Sequence, residues 1–543
     1  MAAPQPTSTD LPPIIPPPHP DRRRTLVLCF DGTGDQFDAD NSNVIQLFTM
    51  LQKDDHSQQM VYYQAGIGTY TIPQIATPLW SNFSKTVDAA IAWNMHSHVM
   101  EGYRFLMENY QAGDKICLFG FSRGSYTARS LAGMLHKVGL LPSGNTQQVP
   151  FAYKMYTQCD ETGWQQSAAF KKAFSINVDI EFVGVWDTVC SVGLIPRRLP
   201  FVSSNTAIRY FRHGVSLDER RSKFKANLYN RPTEDETKLG VQPGEMPSPQ
   251  PISAANKDLT MATHALAKYM HIAGSGLGSA VPTLPKVVAP VANVVPTLAK
   301  AAVNKGKGVA AYTNGRTEEE EDDDDYKYDA QYFAEPEQKE TDVLEVWFSG
   351  CHCDVGGGSV PNDTRHNLAR IPLRWMIRQC FLANTGIRFH TQLLHNAGLD
   401  PASLYPISPP PRALPLTLRK TTQTRLTALP AGALSEEEED LADLLCPIYD
   451  QLALAPGWWV LEVLPMTQRF QAKDNHWIEQ LSVNLGRGRV VPFRPRDGKV
   501  KFHRSVKIRE EAPEDLVQWV DKKQRRYKPV ATWNEGVQIE YVA

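Results

Sequence analysis

Short apolar runs alternating with helical patterns organise the chain from residue 25 to residue 383. Thr25–Phe30 (TLVLCF) reads as a buried strand that runs into the tight loop Asp31-Gly32-Thr33-Gly34. Met60–Gln64 is a second strand, followed by the glycine-bearing GIGTY, and Thr86–Asn109 carries a helical pattern. Lys115–Phe119 (KICLF) predicts a third strand and Ser125–Val138 a helix. Asp179–Trp186 and Val343–Phe348 supply a fourth and a fifth strand, with a helix over about Ile371–Ala383 behind them. Strands separated by helices imply an α/β fold: a mostly parallel central sheet with helices on both faces.

Two stretches break this rhythm. Residues 231–342 are rich in Pro, Gly, Ala and Val and contain the run Glu318–Asp325 (EEEEDDDD), which reads as solvated and disordered. Within that insert, 274–303 is a candidate lid or membrane-surface contact, although its repeated prolines oppose a long amphipathic helix. The expected organisation is therefore a disordered Pro-rich tail over 1–21 and a first core segment over 22–230. The insertion 231–342, a second core segment 343–390 and a C-terminal extension 391–543 follow. A second acidic run, Glu436–Asp440, precedes the strand-like WWVLEVL of Trp458–Leu464.

Composition narrows the classes. The 543 residues are 42% hydrophobic and 21% charged, enough for a large core, and the formal charge of −2 argues against general nucleic-acid affinity. The first twenty residues lack the charged start and apolar core of a secretory signal, and no run of 18 apolar residues predicts a membrane span. With eight sparse cysteines, the expectation is a reducing, cytoplasmic setting. Cys351 and Cys353 flank His352, but no second ligand pair follows at metal-binding spacing, so no metal and no cofactor is expected.

The sharpest chemical signal is Gly120-Phe121-Ser122-Arg123-Gly124. A GxSxG is common by chance; an apolar strand directly before it and a helix directly after it make it a nucleophile elbow, with Ser122 at the tip. The competing reading is a serine that only caps the helix. A serine hydroxyl needs a base to remove its proton and an acid to orient that base. Asp187, after the fourth strand, and His352, after the fifth, stand at strand ends in the order serine, acid, histidine. Asp354 is the alternative acid and His503, in the strand-like KFHRSV, the alternative base. The oxyanion donors expected are the Arg123 backbone N–H and the loop at Gly32 and Thr33.

Several segments together resemble hydrolases related to type VI secretion phospholipase effectors, a family with fungal and bacterial members. They are LVLCFDGTGD, LFGFSRGSYTARSLAGML, FVGVWDTV, HGVSLDERRSKF (His213–Phe224), WFSGCHCDVGGG and RIPLRWM, then GWWVLEVLP, NLGRGR and FHRSV. They cover most of 25–225 and 343–380, with shorter matches in 457–509. The resemblance implies an α/β-hydrolase domain with a Ser-Asp-His triad at Ser122, Asp187 and His352. It also implies carboxylic-ester hydrolysis, with phospholipase activity in some members.

The leading expectation is thus a serine esterase or lipase acting on a small-molecule or lipid ester; 274–303 reads first as a loosely ordered loop, with a lid or a peripheral membrane contact as the alternatives. Two other classes are weighed. An aspartate-nucleophile phosphatase would use Asp31, but the position two before it, which that chemistry needs as a second aspartate, is Cys29. A catalytically silent hydrolase-fold scaffold would bind partners through the acidic runs and the Pro-rich tail. Oligomeric state is not legible.

Overall fold

The computed structural model describes residues 11–18, 23–33, 35–66, 80–189, 199–230, 238–242, 245–246, 340–406, 434–471, 477–493 and 499–543, with backbone alone for 80–94, 467–471, 477 and 479. Met1–Pro249 and Gln338–Ala543 form one compact unit; the other, Gln250–Glu337, lies outside the described residues, as do the stretch 274–303 and the run Glu318–Asp325.

The main sheet has eight strands: β1 (Thr25–Phe30), β2 (Gln59–Gln64), β3 (Lys115–Phe121), β4 (Ile180–Trp186), β5 (Ile208–Ser216), β6 (Asp342–Phe348), β7 (Lys499–His503) and β8 (Gln538–Val542). Their spatial order is β2-β1-β3-β4-β5-β6-β7-β8, and every adjacent pair is parallel. The chain lays β2 on one side of β1, then crosses to start β3 on the other. That reversal makes the carboxyl ends of β1 and β3 a topological switch point, where the ligand crevice of such sheets usually lies.

Both faces of the sheet are covered, as parallel strands require. Along β1, Val27 and Cys29 join one core while Leu26, Leu28 and Phe30 join the other. The first core takes α1 (Asn43–Met50) through Val44 and Leu47. The second takes α2 (Trp80–Asn109) through Tyr103 and Leu106, and α3 (Ser122–Val138) through Leu131 and Leu135. α4 (Val149–Thr157) and α5 (Glu161–Phe174) pack outside α3. On the first face, α6 (His352–Gly356) and α7 (Arg370–Leu382) follow β6, and α8 (Glu436–Leu444) and α9 (Arg504–Glu511) add Leu441, Leu444 and Ile508 to that core.

The predicted strands and helices fall within a few residues of those observed, and β5 and β8 are additions. β5 (IRYFRHGVS) hides its strand character behind Arg212 and His213, both buried because Arg212 bonds to Asp342 and Gln379 and His213 to Glu345. Two expectations are corrected. The lead-in is not disordered throughout: Ile14–Ile15 pairs antiparallel with Phe389–His390, and the Ile15 side chain is fully buried. Trp458–Leu464 is not a strand. It is a 3₁₀ turn over Pro456–Trp458 followed by a helical turn over Trp459–Glu462. A short apolar run does not by itself distinguish strand from helix. Here the buried Glu462 carboxylate decides, accepting from Ser222 N at 2.6 Å, Asn484 Nδ2 at 2.5 Å and Gly486 N at 2.9 Å. Among the described residues no helix is long and apolar enough to cross a membrane.

Candidate active site

β3 delivers Ser122 through a turn that only small neighbours permit. Ser122 has φ +57°, in the left-handed region that side chains avoid, and begins α3 directly. A Cβ at Gly124 would lie 2.2 Å from the Phe30 carbonyl oxygen, and one at Gly120 would lie 2.6 Å from the Gly124 oxygen. These positions must be glycine because the first turn of α3 passes in backbone contact with the end of β1 at Gly124 and with the end of β3 at Gly120.

Asp187 stands on the neighbouring strand end. Phe121 and Trp186 are in register across β3 and β4, so the residues that follow them, Ser122 and Asp187, leave the sheet side by side. Ser125 Oγ donates to Trp186 O at 2.9 Å, tying the start of α3 to this edge. Asp187 also has a positive φ, +42°, and is fully buried. Six described non-glycine residues have positive φ, and two of them meet here. Such strain concentrates where surrounding structure enforces a functional geometry.

His352 arrives from the other direction. Beyond β6, Gly350 turns with φ +110°, and its N–H donates to Asp218 Oδ2 at 2.6 Å. His352 then opens α6, its own N–H donating to Glu219 Oε2 at 3.3 Å. The ring Nδ1–H donates to Asp187 Oδ2 at 2.6 Å. The imidazole packs between Phe121, 4.6 Å away by ring centroids, and Phe224, at 4.8 Å. Phe121 immediately precedes Ser122, so the ring lies against the elbow. Ser122 and His352 are 5% and 3% exposed. Among the described residues no hydrogen bond joins Ser122 Oγ to His352. Without substrate, catalytic hydrogen bonds are commonly longer than in the reacting complex.

The electrostatics separate the two groups. Burial works to raise the Asp187 pKa, but Arg489 and the bond from His352 overcome it and hold the carboxyl well below the usual carboxylate range. Burial depresses the His352 pKa, against the opposing pull of Asp187, which favours a neutral imidazole. Arg489 joins the site from outside every candidate that the sequence offers. Its guanidinium reaches Asp187 with Nη1–Oδ1 2.5 Å and Nη2–Oδ2 2.8 Å. Only its presence in the NLGRGR segment marked it, and no local pattern connects that segment to a strand end 302 positions earlier.

The other expected site residues divide. Asp354 accepts from Cys351 N and Tyr449 N, both at 2.9 Å, and from Ser359 Oγ at 3.1 Å, so it caps α6 and holds the next segment. His503 stacks on Phe348 at 4.9 Å and bonds to Ser505 Oγ at 2.8 Å. The histidine at Asp187 is therefore His352. Gly32 and Thr33 lie in the crevice loop beside the elbow, where Asp31 accepts from Gly32 N, Ser42 Oγ and Tyr63 Oη at 2.8, 2.6 and 2.8 Å. Thr33 Oγ1 is buried and has no hydrogen-bond partner among the described residues. Asp35, in the same loop, lies with Oδ2 2.1 Å from where a Gly32 Cβ would stand, and burial with the nearby Asp31, Asp38 and Asp40 pushes it up to about 8.

Cys351 Sγ donates to Asp218 O at 3.3 Å, while His352 Nδ1 is engaged by Asp187. A metal-like grouping, His366, Glu439 and Asp443, occurs elsewhere, with ligand atoms within 4.8 Å of one another. Its carboxylates already face Arg365, Arg370 and Arg374 at 2.6–3.5 Å, so their charge is balanced by guanidinium. A cavity of about 290 Å³ beside Gly357 and Gly358 is lined by Asn41, Asn43, Gln46, Asn362 and Arg370 and does not include Ser122.

A strained serine and a buried aspartate thus stand side by side at parallel strand ends, with a histidine bonded to the aspartate. The chain belongs to the family described as the T6SS phospholipase effector Tle1-like catalytic domain, which matches residues 24–379. It is 29% identical over 599 residues to the uncharacterized protein YEL023C of Saccharomyces cerevisiae, across 95% of this chain and 81% of that one. Two solved structures are similar over part of their length. One is an uncharacterized protein from Pseudomonas aeruginosa, 15% identical over 68% of this chain with a TM-score of 0.30. The other is the Tle1 effector bound to the VgrG spike of the type 6 secretion system, 16% identical over 38% of this chain with a TM-score of 0.21. The match spans 47% of each of those two chains.

Proposed function

We propose that this chain is a serine hydrolase of the α/β-hydrolase type that cleaves a carboxylic ester of a lipid, through an acyl-enzyme formed on Ser122. The observation that carries the proposal is the 2.6 Å bond from His352 to the buried Asp187, made beside the strained Ser122 elbow. Ser122 Oγ attacks the acyl carbon while His352 Nε2 takes its proton. Asp187 keeps Nδ1 protonated and stabilises the imidazolium. The tetrahedral oxyanion is met by the Arg123 N–H at the start of α3 and by donors of the Gly32–Thr33 loop, where Thr33 Oγ1 is uncommitted. His352 returns the proton to the leaving alcohol, and water then releases the acyl group by the same steps in reverse order.

Family membership supports a lipid ester over a small soluble one. So does the surface next to the site. Phe224, which touches His352, also contacts Trp458 at 5.6 Å, and Trp459, Val460, Val463, Leu464 and Leu485 beyond it are all exposed. Apolar groups gathered outside a buried site suit a substrate that arrives in a lipid surface.

The scaffold reading finds less support. Glu436 and Asp440 of the second acidic run pair inside the protein with Arg378 and Arg374. The phosphatase reading is weakened too, because three donors already occupy the Asp31 carboxylate. The test is fatty-acid release from phospholipid vesicles by wild type, Ser122→Ala and His352→Ala. Release by wild type that falls by at least about 10³-fold in both variants is expected. Equal release by Ser122→Ala would overturn the proposal.

A further inference from the structure

Arg489 is placed as no surface arginine would be. It comes from the C-terminal segment, 302 positions after Asp187, and is 3% exposed. The turn that carries it is pinned from two sides. Leu485 N donates to Glu462 O at 3.0 Å, and Gly486 N to Glu462 Oε2 at 2.9 Å. Gly488 passes so close to Val530 that a Cβ would lie 2.3 Å from its carbonyl oxygen.

Every N–H direction of the guanidinium is used. Nε donates to Phe224 O at 3.1 Å and Nη2 to the same oxygen at 2.5 Å. Nη1 donates to Ser216 O and Oγ at 3.1 and 3.0 Å, and the two Nη atoms form the fork on Asp187. Ser216 N adds a bond to Asp187 Oδ1 at 2.9 Å. Each Asp187 oxygen thus accepts two bonds, and only one of the four comes from His352.

We propose that Arg489 is a positioning residue of the site: its fork aims Asp187 at His352 and keeps that buried carboxylate ionised, so the C-terminal segment completes the proton-transfer group. The inference rests on the function proposed above. A carboxylate with no exposure would otherwise drift toward its neutral acid, which cannot stabilise an imidazolium. Loss of the fork would also leave the carboxylate held by only two of its four bonds, from Ser216 N and His352 Nδ1, and so less firmly aimed at the imidazole. The charged groups near Asp187 are His352 and Arg489 themselves, Arg221 and Glu219 on the His352 side, Lys225 beside Arg489, and His213 behind Asp187.

The experiment measures kcat, KM and their pH dependence on a soluble p-nitrophenyl ester for the full chain, Arg489→Ala and Arg489→Lys, each with and without added guanidinium at non-denaturing concentration. For Arg489→Ala, kcat is expected to fall about 10–100-fold with KM within about twofold. The acidic limb should move to higher pH, because without the guanidinium both Asp187 and His352 hold a proton more readily. Guanidinium should restore at least about tenfold in Arg489→Ala and nothing in wild type. Arg489→Lys keeps the charge but not the fork, so its limb should stay near that of wild type while kcat falls at least about fivefold. Should Arg489→Ala not fold, Arg489→Lys still decides. Wild-type kcat in Arg489→Lys, or in a folded Arg489→Ala an unmoved limb with no rescue, overturns the proposal. Wild-type turnover by Ser122→Ala would instead overturn the function on which it rests.

Discussion

Gly124→Ala tests the elbow with one methyl group. In the structure that methyl would stand 2.2 Å from the Phe30 carbonyl oxygen and 2.4 Å from that of Asp31, where real Cβ contacts stay above 3.0 Å. The first turn of α3 and the end of β1 must therefore part by about 0.8 Å. The strand side can yield little: Phe30 lies between two parallel neighbours, and the Asp31 N–H is bonded to Gln64 O at 3.0 Å. Most of the movement falls on α3, which carries both Ser122 and the Arg123 N–H. A misplacement of about 1 Å at reacting groups costs about 10²-fold in rate, and overpacking of this kind costs about 1–3 kcal/mol in stability. Ester turnover per active molecule should accordingly fall about 100-fold, and urea unfolding should report the smaller stability loss. Gly457→Ala is the control, since its methyl would meet nothing within 4 Å. If folded Gly124→Ala keeps more than half of the wild-type kcat/KM, the close approach does not set the serine's geometry and the reasoning fails.

Asp187→Asn should lower kcat by about 10³–10⁴-fold, because the amide presents a donor to either His352 or Arg489. It should also lose about 3–5 kcal/mol by leaving a buried guanidinium unpaired, read from chemical denaturation; wild-type stability would contradict that pairing. Since burial holds His352 below the ordinary histidine value of about 6.5, the neutral base persists to lower pH than usual. Activity should therefore be full at neutral pH and lost as pH falls, with the acidic limb of kcat/KM below about 6.5; a limb above 7 would refute the assignment. Val463→Glu and Trp459→Glu on the exposed apolar surface should cut vesicle hydrolysis by at least about tenfold while leaving soluble-ester turnover within twofold. Equal losses on both substrates would show that this surface does not meet lipid.

What could be read in advance was whatever a short window encodes. β1, β3 and β4 are continuous apolar runs because both faces of a parallel strand are buried, and each ends abruptly at a polar residue, Asp31, Ser122 and Asp187, at the carboxyl edge of the sheet. Ser122 and Asp187 are legible for that reason, and His352 because it follows the shorter apolar end of β6. β5 was not, since its arginine and histidine are neutralised by partners that only the fold supplies. Trp458–Leu464 misled because its apolar side chains face outward while its one acid is buried, the reverse of the usual pattern. The acid's own partner was out of reach for a different reason. A buried carboxylate demands a cation, but nothing local says which of the chain's many arginines will answer, and only the fold brings the segment of Arg489 to Asp187.

The most direct measurement is covalent labelling. The native chain would be treated with a fluorophosphonate, digested, and its modified peptide sequenced by mass spectrometry. The account predicts one adduct, on Ser122, absent after heat denaturation and slowed at least about 10³-fold in His352→Ala. A natively folded chain that takes no label, or takes it on another residue with Ser122 untouched, would contradict it.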